Sequence, residues 1–263
     1  MSVGISPGEL QRILHKAHIR LFEMHYKAHA GHLGPNLSAL DGLITLFHAI
    51  MDEDDRFVLS KGHAAGALYV TLWTLHLLSD ADLDSFCAEG ARLAGHPHGD
   101  LPSVRFPTGS LGHGPSLACG LALAARHTEQ NRRVWCFCGD GEWQEGACWE
   151  ALSFAVHHKL GNMTILIDVN GLQGFGTTSE VNSFENLPCR IESFGAHVVH
   201  ADGHDPASIL EALSLRSAES PNVVLLKTVK GKGLKNEGQV SCHYLPLSEE
   251  EYTALMAQGE KNA

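Results

Sequence analysis

The chain has 263 residues, 44% of them hydrophobic and 19% charged, enough for one large α/β domain with a substantial core. Its net charge of -11 argues against nucleic acid or an anionic membrane surface as a partner, so an anionic ligand needs a local cation or a metal. Seven Cys, an odd number scattered through apolar runs, point to reduced thiols in the cytoplasm; no leader pattern and no apolar run approaching about 18 residues speaks for a membrane.

Ser6-Pro7-Gly8-Glu9 is a capping box with Pro at the first helical position, which predicts a helix over 7–27. Gly31, Gly34 and Pro35 then surround His32 ahead of a second helix, for which Asn36 or Ser38 is the predicted cap. RFVLS at 56–60 reads as a short strand running into Lys61-Gly62-His63 and a helix of small residues. A helix over 80–89 leads to Gly95-His96-Pro97-His98, a third His in a glycine-flanked loop. The segment 108–114, TGSLGHG, has the glycine density of a loop whose backbone approaches a ligand, and the helix over 115–127 opens with free amides.

The stretch 134–176 carries the strongest signal. Residues 134–138 form a wholly apolar run ending on Gly-Asp-Gly, as expected of a strand buried on both faces of a parallel sheet. Cys136 and Cys138 share one side of that strand and are assigned to the core. A helix over 145–160 and a second apolar strand over 163–168 complete a strand, helix, strand unit. Gly139 and Gly141 allow a sharp turn close to a ligand, and Asp140 and Asn170 follow the two strands, where such units bind ligands. Two oxygen donors there suit a hard cation such as Mg2+ that leaves coordination positions to phosphate. A helix over 183–194, a strand over 196–200, a helix over 206–217 and a strand over 223–227 follow, then TVKGKG at 228–233, which reads as a mobile basic loop. A last helix opens with the capping pattern Ser248 to Glu251. This alternation predicts an α/β fold over 1–263 as a single domain, a mostly parallel central sheet with helices on both faces.

AGHLGPNLSALDGL, RFVLSKGHAAGALY, GHP, TGSLGHG, GDGEWQEGACWEAL, VNGLQGFG, KGKG and CHY stand in the order found in the N-terminal part of transketolase. The chain resembles that thiamin diphosphate-binding domain over nearly its whole length, and most closely the N-terminal subunit of the split, two-chain type. The resemblance implies the thiamin diphosphate-binding fold and transfer of a two-carbon ketol unit from a ketose or its phosphate to an aldose. It makes Asp140, Asn170 and the Leu172 carbonyl ligands of Mg2+ or Ca2+, and Gly139, Gly141, Glu142, His63, Leu111 and His243 cofactor-binding residues. His32 and His96 line the substrate channel and share the catalytic set with His243, Glu145 and Glu150, the two Glu belonging to a carboxylate network across a dimer. A pyrimidine-binding domain, carrying the Glu that activates the cofactor, is expected on a separate C-terminal subunit in an α2β2 assembly.

MDEDD before the first strand, TGSLGHG, the short loop after GHP and Cys242 in place of a Trp depart from the family pattern in loops facing the acceptor and partner, and leave the sugars open. Other thiamin diphosphate enzyme halves, a deoxyxylulose-phosphate synthase or a 2-oxo acid dehydrogenase α subunit, share the GDG to Asn pairing. A catalytically silent assembly subunit is a further alternative. A nicotinamide Rossmann protein is disfavoured because no G-x-G-x-x-G opens the first strand-to-helix turn.

Overall fold

The computed structural model describes residues 5–182 and 186–261. α1 (Pro7–Lys27) has the predicted bounds, with the Ser6 hydroxyl accepting from the Glu9 amide. α2 (Leu33–Thr45) starts earlier than expected, because His32 turns the chain in the left-handed region at φ 63°. Asn36 and Ser38 therefore sit inside α2 rather than capping it. Asn36 donates to the His32 carbonyl at 2.6 Å and accepts from the Ala67 amide at 2.6 Å, tying α2 to the start of the helix that opens at Ala65.

β1 (Arg56–Leu59) is followed by α3 (Ala65–Thr74) and α4 (Asp80–Asp84). α4 stops short of the predicted 89; the chain turns away at Cys87, φ 58°. α5 (Gly114–His127) leads to β2 (Val134–Gly139), a 3-10 turn over Gly141–Gln144, α6 (Gly146–His157) and β3 (Met163–Val169). α7 (Thr178–Val181) and α8 (Leu187–Ser193) precede β4 (His197–Asp202); the predicted helix start at 183 lies outside the described residues. α9 (Pro206–Ser214), β5 (Asn222–Lys227) and α10 (Glu249–Lys261) complete the chain.

The five strands are all parallel, in the order β1-β2-β3-β5-β4. Side chains alternate across the sheet and feed two cores. Trp135, Phe137, Leu166, Val224 and Leu226 pack under α1, α2, α3 and α9, whereas Val134, Cys136, Cys138, Ile165 and Ile167 pack under α5, α6 and α8. Cys136 and Cys138 are fully buried in the second core, as expected of a same-face pair. Each large side chain so buried contributes about 2–3 kcal/mol of hydrophobic stabilisation before entropy is counted. Insertion of β5 between β3 and β4 brings the carboxyl ends of β1, β2, β3 and β5 side by side, and the loops leaving those ends build the site.

Candidate active site

A pocket of about 260 Å³ lies beyond the carboxyl edge. Lys61 and His63 enter it from the end of β1, Gly139, Asp140, Gly141 and Glu142 from the β2 turn, and Asn170, Leu172, Gln173, Gly174 and Phe175 from the loop after β3. Lys230 comes from the loop after β5, and His32, His96, Gly109, Leu111, His243 and Tyr244 close the walls. Every candidate named from the sequence lines the pocket except Glu145 and Glu150, which are exposed at and beyond the start of α6.

At the polar end, Asp140 Oδ1 accepts from the Gly141 amide at 2.7 Å and Oδ2 from the Gly171 amide at 2.6 Å. Gly171, at φ 74°, takes the left-handed turn that brings Leu172 back toward Asn170, whose Oδ1 accepts from the Leu172 amide at 3.0 Å. The Leu172 and Gln173 carbonyls accept from Lys230 Nζ at 3.2 and 3.1 Å. Burial, with the charge of Asp168 behind it, pushes the Asp140 carboxyl up to about 6 despite its two amide donors. Burial likewise pulls Lys230 down to about 8, helped by Lys61.

Beneath this end lies a buried ion pair between Lys61, 2% exposed, and Asp168, fully buried. Lys61 Nζ also donates to the Pro35 carbonyl at 3.0 Å and to Ser38 Oγ at 3.1 Å, while Asp168 accepts from Ser38 at 2.6 Å and from Thr228. Burial alone would raise the Asp168 carboxyl; Lys61 and the two hydroxyls overcome it and hold it below the ordinary carboxylate range. Glu142 is a second brace: it accepts from Ser60 Oγ, from the Gly112 amide at 2.8 Å and from the Gly139 amide at 3.2 Å. One buried carboxylate thus joins the end of β1, the 108–114 loop and the β2 turn.

The walls carry four imidazoles. His32 lies 5.1 Å from His243, 5.6 Å from His96 and 6.0 Å from His63, ring centre to ring centre. Burial lowers all four, with Lys61 adding to the effect at His63 and Lys230 at His243, which falls to about 3. They are neutral near pH 7, each able to donate one hydrogen bond and accept another. His243 Nδ1 is buried without a partner among the described residues, and the His243 carbonyl accepts from the His32 amide at 2.9 Å.

These residues fit a metal diphosphate. A carboxylate, an amide oxygen and a carbonyl supply hard oxygen donors but not a full shell, and among the described residues no group of three or more His, Cys, Asp or Glu could hold a metal alone. An acid raised to about 6 by burial is a place where a cation restores the ionised form, and the orphaned His243 Nδ1 awaits a polar partner.

Sequence reasoning missed Lys61, Asp168, Lys230, Gln173 and Tyr244. Lys230 is 2% exposed, so the basic loop is pinned rather than mobile: the Gly231 amide donates to Gly34 at 3.1 Å and Lys230 is engaged as above. The signal was present in Lys-Gly at the ends of β1 and β5, since a Lys beside Gly at a strand end can fold inward.

An open parallel sheet with an acid, an amide and buried cations at its carboxyl edge defines an α/β domain for a phosphorylated cofactor. The family model described as transketolase, thiamine diphosphate binding domain, matches residues 12–259, and the chain belongs to that family. It is 37% identical over 257 residues to one of the subunits of the apulose-4-phosphate transketolase of Phocaeicola vulgatus, covering 92% of this chain and 91% of that one. It is 36% identical over 248 residues to the 6-deoxy-6-sulfo-D-fructose transketolase subunit SqwG of Clostridium sp., covering 89% and 90%. Among solved structures, a transketolase variant from Pichia stipitis superposes with a TM-score of 0.84 at 29% identity, over 94% of this chain and 40% of that chain. The chain thus spans about two fifths of that solved transketolase. No described helix is long and apolar enough to cross a membrane.

Proposed function

We propose that this chain is the cofactor-binding subunit of a two-chain transketolase, transferring a two-carbon ketol unit from a ketose or ketose phosphate to an aldose. The observation that carries it is the convergence of Asp140, Asn170, the Leu172 carbonyl, Lys230 and four neutral imidazoles on one pocket. Similarity along nearly the full length of relatives named as transketolase subunits, at 36–37% identity, supports the two-chain form.

Thiamin diphosphate supplies the electron sink for breaking a carbon–carbon bond next to a carbonyl. Asp140, Asn170 and the Leu172 carbonyl hold Mg2+ or Ca2+, and Lys230, His63 and His243 meet the diphosphate charge. Gly139, Gly141 and Glu142 shape the turn beneath it, and Leu111 supplies an apolar wall. His32 and His96 line the wall, placed to hydrogen-bond sugar hydroxyls and to move protons as neutral imidazoles. Phe175, 77% exposed, and Tyr244, 56% exposed, form an apolar rim at the mouth that suits a covering subunit. The partner of this reading is a C-terminal subunit with a pyrimidine-binding domain, in an α2β2 assembly toward which Glu145 and Glu150 face. The seven free thiols fit a cytoplasmic location.

Calorimetric titration of thiamin diphosphate into the chain with and without Mg2+ tests the pocket. Metal-dependent binding that His243→Ala and Lys230→Met each weaken supports the reading; absence of binding both alone and with the partner subunit overturns it.

A further inference from the structure

We propose that His204, outside the pocket, is a positioning residue that holds Lys230 in place through the backbone of Val229. The Val229 amide donates to His204 Nε2 at 2.9 Å. A backbone amide can only donate, so Nε2 carries the lone pair, and the ring proton sits on Nδ1, 2.8 Å from Asp41 Oδ2. The other oxygen of Asp41 is 2.8 Å from His18 Nε2. Asp41 therefore selects the one tautomer of His204 that can accept from the loop. The His204 and Asp41 side chains are only 7% and 8% exposed, so water competes poorly for the bond between them. Burial alone would raise the Asp41 carboxyl, but hydrogen bonds from His18 and His204 outweigh it and hold it at about 2, so this acceptor stays ionised.

The loop has other backbone ties, among them the Lys230 carbonyl accepting from the Gly238 amide at 2.9 Å, but His204 is what holds the Val229 amide. The Val229 side chain is 41% exposed and contributes little packing. Its neighbours are held through the backbone, the Thr228 amide by the Val169 carbonyl at 3.1 Å and the Gly231 amide by the Gly34 carbonyl at 3.1 Å. Between them the Val229 amide has the His204 ring, and the next residue, Lys230, reaches the Leu172 and Gln173 carbonyls. Gly203 makes the approach possible. Its amide donates to the Lys227 carbonyl at 2.8 Å, and a Cβ there would collide with Thr228. A chain of contacts thus runs from α1 and α2 through the loop after β4 to the pocket.

The inference rests on the cofactor reading of the pocket for its functional consequence, but the bond itself is testable without any cofactor. In His204→Asn the amide nitrogen takes the place of Nδ1 and keeps a donor for Asp41, with nothing at the Nε2 position. In His204→Gln the side-chain oxygen reaches the Nε2 position and keeps an acceptor for Val229. Residue-resolved amide exchange in the ligand-free chain, paired with calorimetric titration of thiamin diphosphate and Mg2+, separates the two.

The wild type and His204→Gln are expected to protect the Val229 amide, and His204→Asn to lose about tenfold or more of that protection. Cofactor affinity should follow the same order, about tenfold weaker in His204→Asn, with the thermal midpoint lowered by only a few degrees. A purely structural role predicts the reverse, with His204→Asn the milder change because it preserves the buried Asp41 contact. Equal protection of Val229 in both variants overturns the proposal. If His204→Asn does not fold, the wild type decides: a Val229 amide exchanging at the rate of an open loop overturns it, and a protected one in both wild type and His204→Gln supports it. Failure of the wild type to bind thiamin diphosphate both alone and with the partner subunit would sink the cofactor reading, while the exchange pattern still judges His204.

Discussion

Lys61→Met removes one half of the ion pair beneath the pocket and leaves Asp168 fully buried with no cation beside it. Breaking a buried pair from one side costs about 3–5 kcal/mol, because the surviving charge keeps its desolvation penalty and loses its compensation. Asp168 would retain the hydroxyls of Ser38 and Thr228, which places the expected loss near 3 rather than 5, about a fifth to three fifths of a typical domain's stability. The pH dependence gives a second handle. In the wild type the Asp168 carboxyl is lowered, so its contribution is present above the unfolded pKa of about 3.9 and is lost as pH falls through the folded value. Without Lys61, burial dominates and raises the carboxyl, so the variant loses stability as pH rises. The gap between the two proteins should therefore be largest near neutrality and narrow toward acid. Urea unfolding at pH 7 and pH 5 measures it. Lys61→Met/Asp168→Asn, which keeps hydrogen-bonding groups but no charge, should recover about 2 kcal/mol relative to the single variant. A single-variant loss below about 1 kcal/mol at pH 7, or a double variant no better than the single, would refute the reasoning.

Asp140→Asn should abolish most Mg2+-dependent cofactor binding, by more than the roughly 100-fold that loss of an outer-shell partner can cost, measured by calorimetric titration. In the ligand-free protein, relief of a carboxyl that burial disfavours is offset by an amide nitrogen turned toward the Gly141 or Gly171 amide, so its stability should change by no more than about 1–3 kcal/mol. Gly34→Ala places a methyl 2.6 Å from the Cys242 carbonyl oxygen and Sγ, against the turn that carries His243. It should cost about 1–3 kcal/mol and weaken cofactor binding, measured by thermal unfolding and calorimetry on the same preparation. His25, fully buried against Phe86 with Nε2 unpartnered among the described residues, has its pKa lowered to about 4, chiefly by burial. The unfolded chain binds that proton first, so stability should fall as pH drops from about 6.5 toward 4, and His25→Leu should flatten that slope in acid-titrated unfolding curves.

The apolar runs of β2 and β3 were legible because a strand buried on both faces has no polar alternation to obscure it, and both lie within one residue of the expected bounds. Strand order was not legible, since nothing local to β5 says that it enters between β3 and β4. Asp140, Asn170, His63 and His243 could be named because each stands in a short motif at an element end. Lys61 and Lys230 escaped because a loop lysine reads as solvated until tertiary packing removes the solvent. His32 misled the placement of the α2 cap: it starts that helix at φ 63° with no side-chain cap, a conformation open to His but uncommon enough for any non-glycine residue that nothing local signals it. His204 sits in a turn whose polar residues look like ordinary connection, and only the Val229 amide donating to its Nε2 reveals a task.

The most direct test of the central claim is a two-carbon transfer assay on the chain mixed with a pyrimidine-domain partner subunit, thiamin diphosphate and Mg2+, with a ketose donor and an aldose acceptor. The account predicts transfer only when both chains and the cofactor are present, and its loss with Asp140→Asn. Transfer by this chain alone, or none from the assembled pair with any ketose donor, would contradict it.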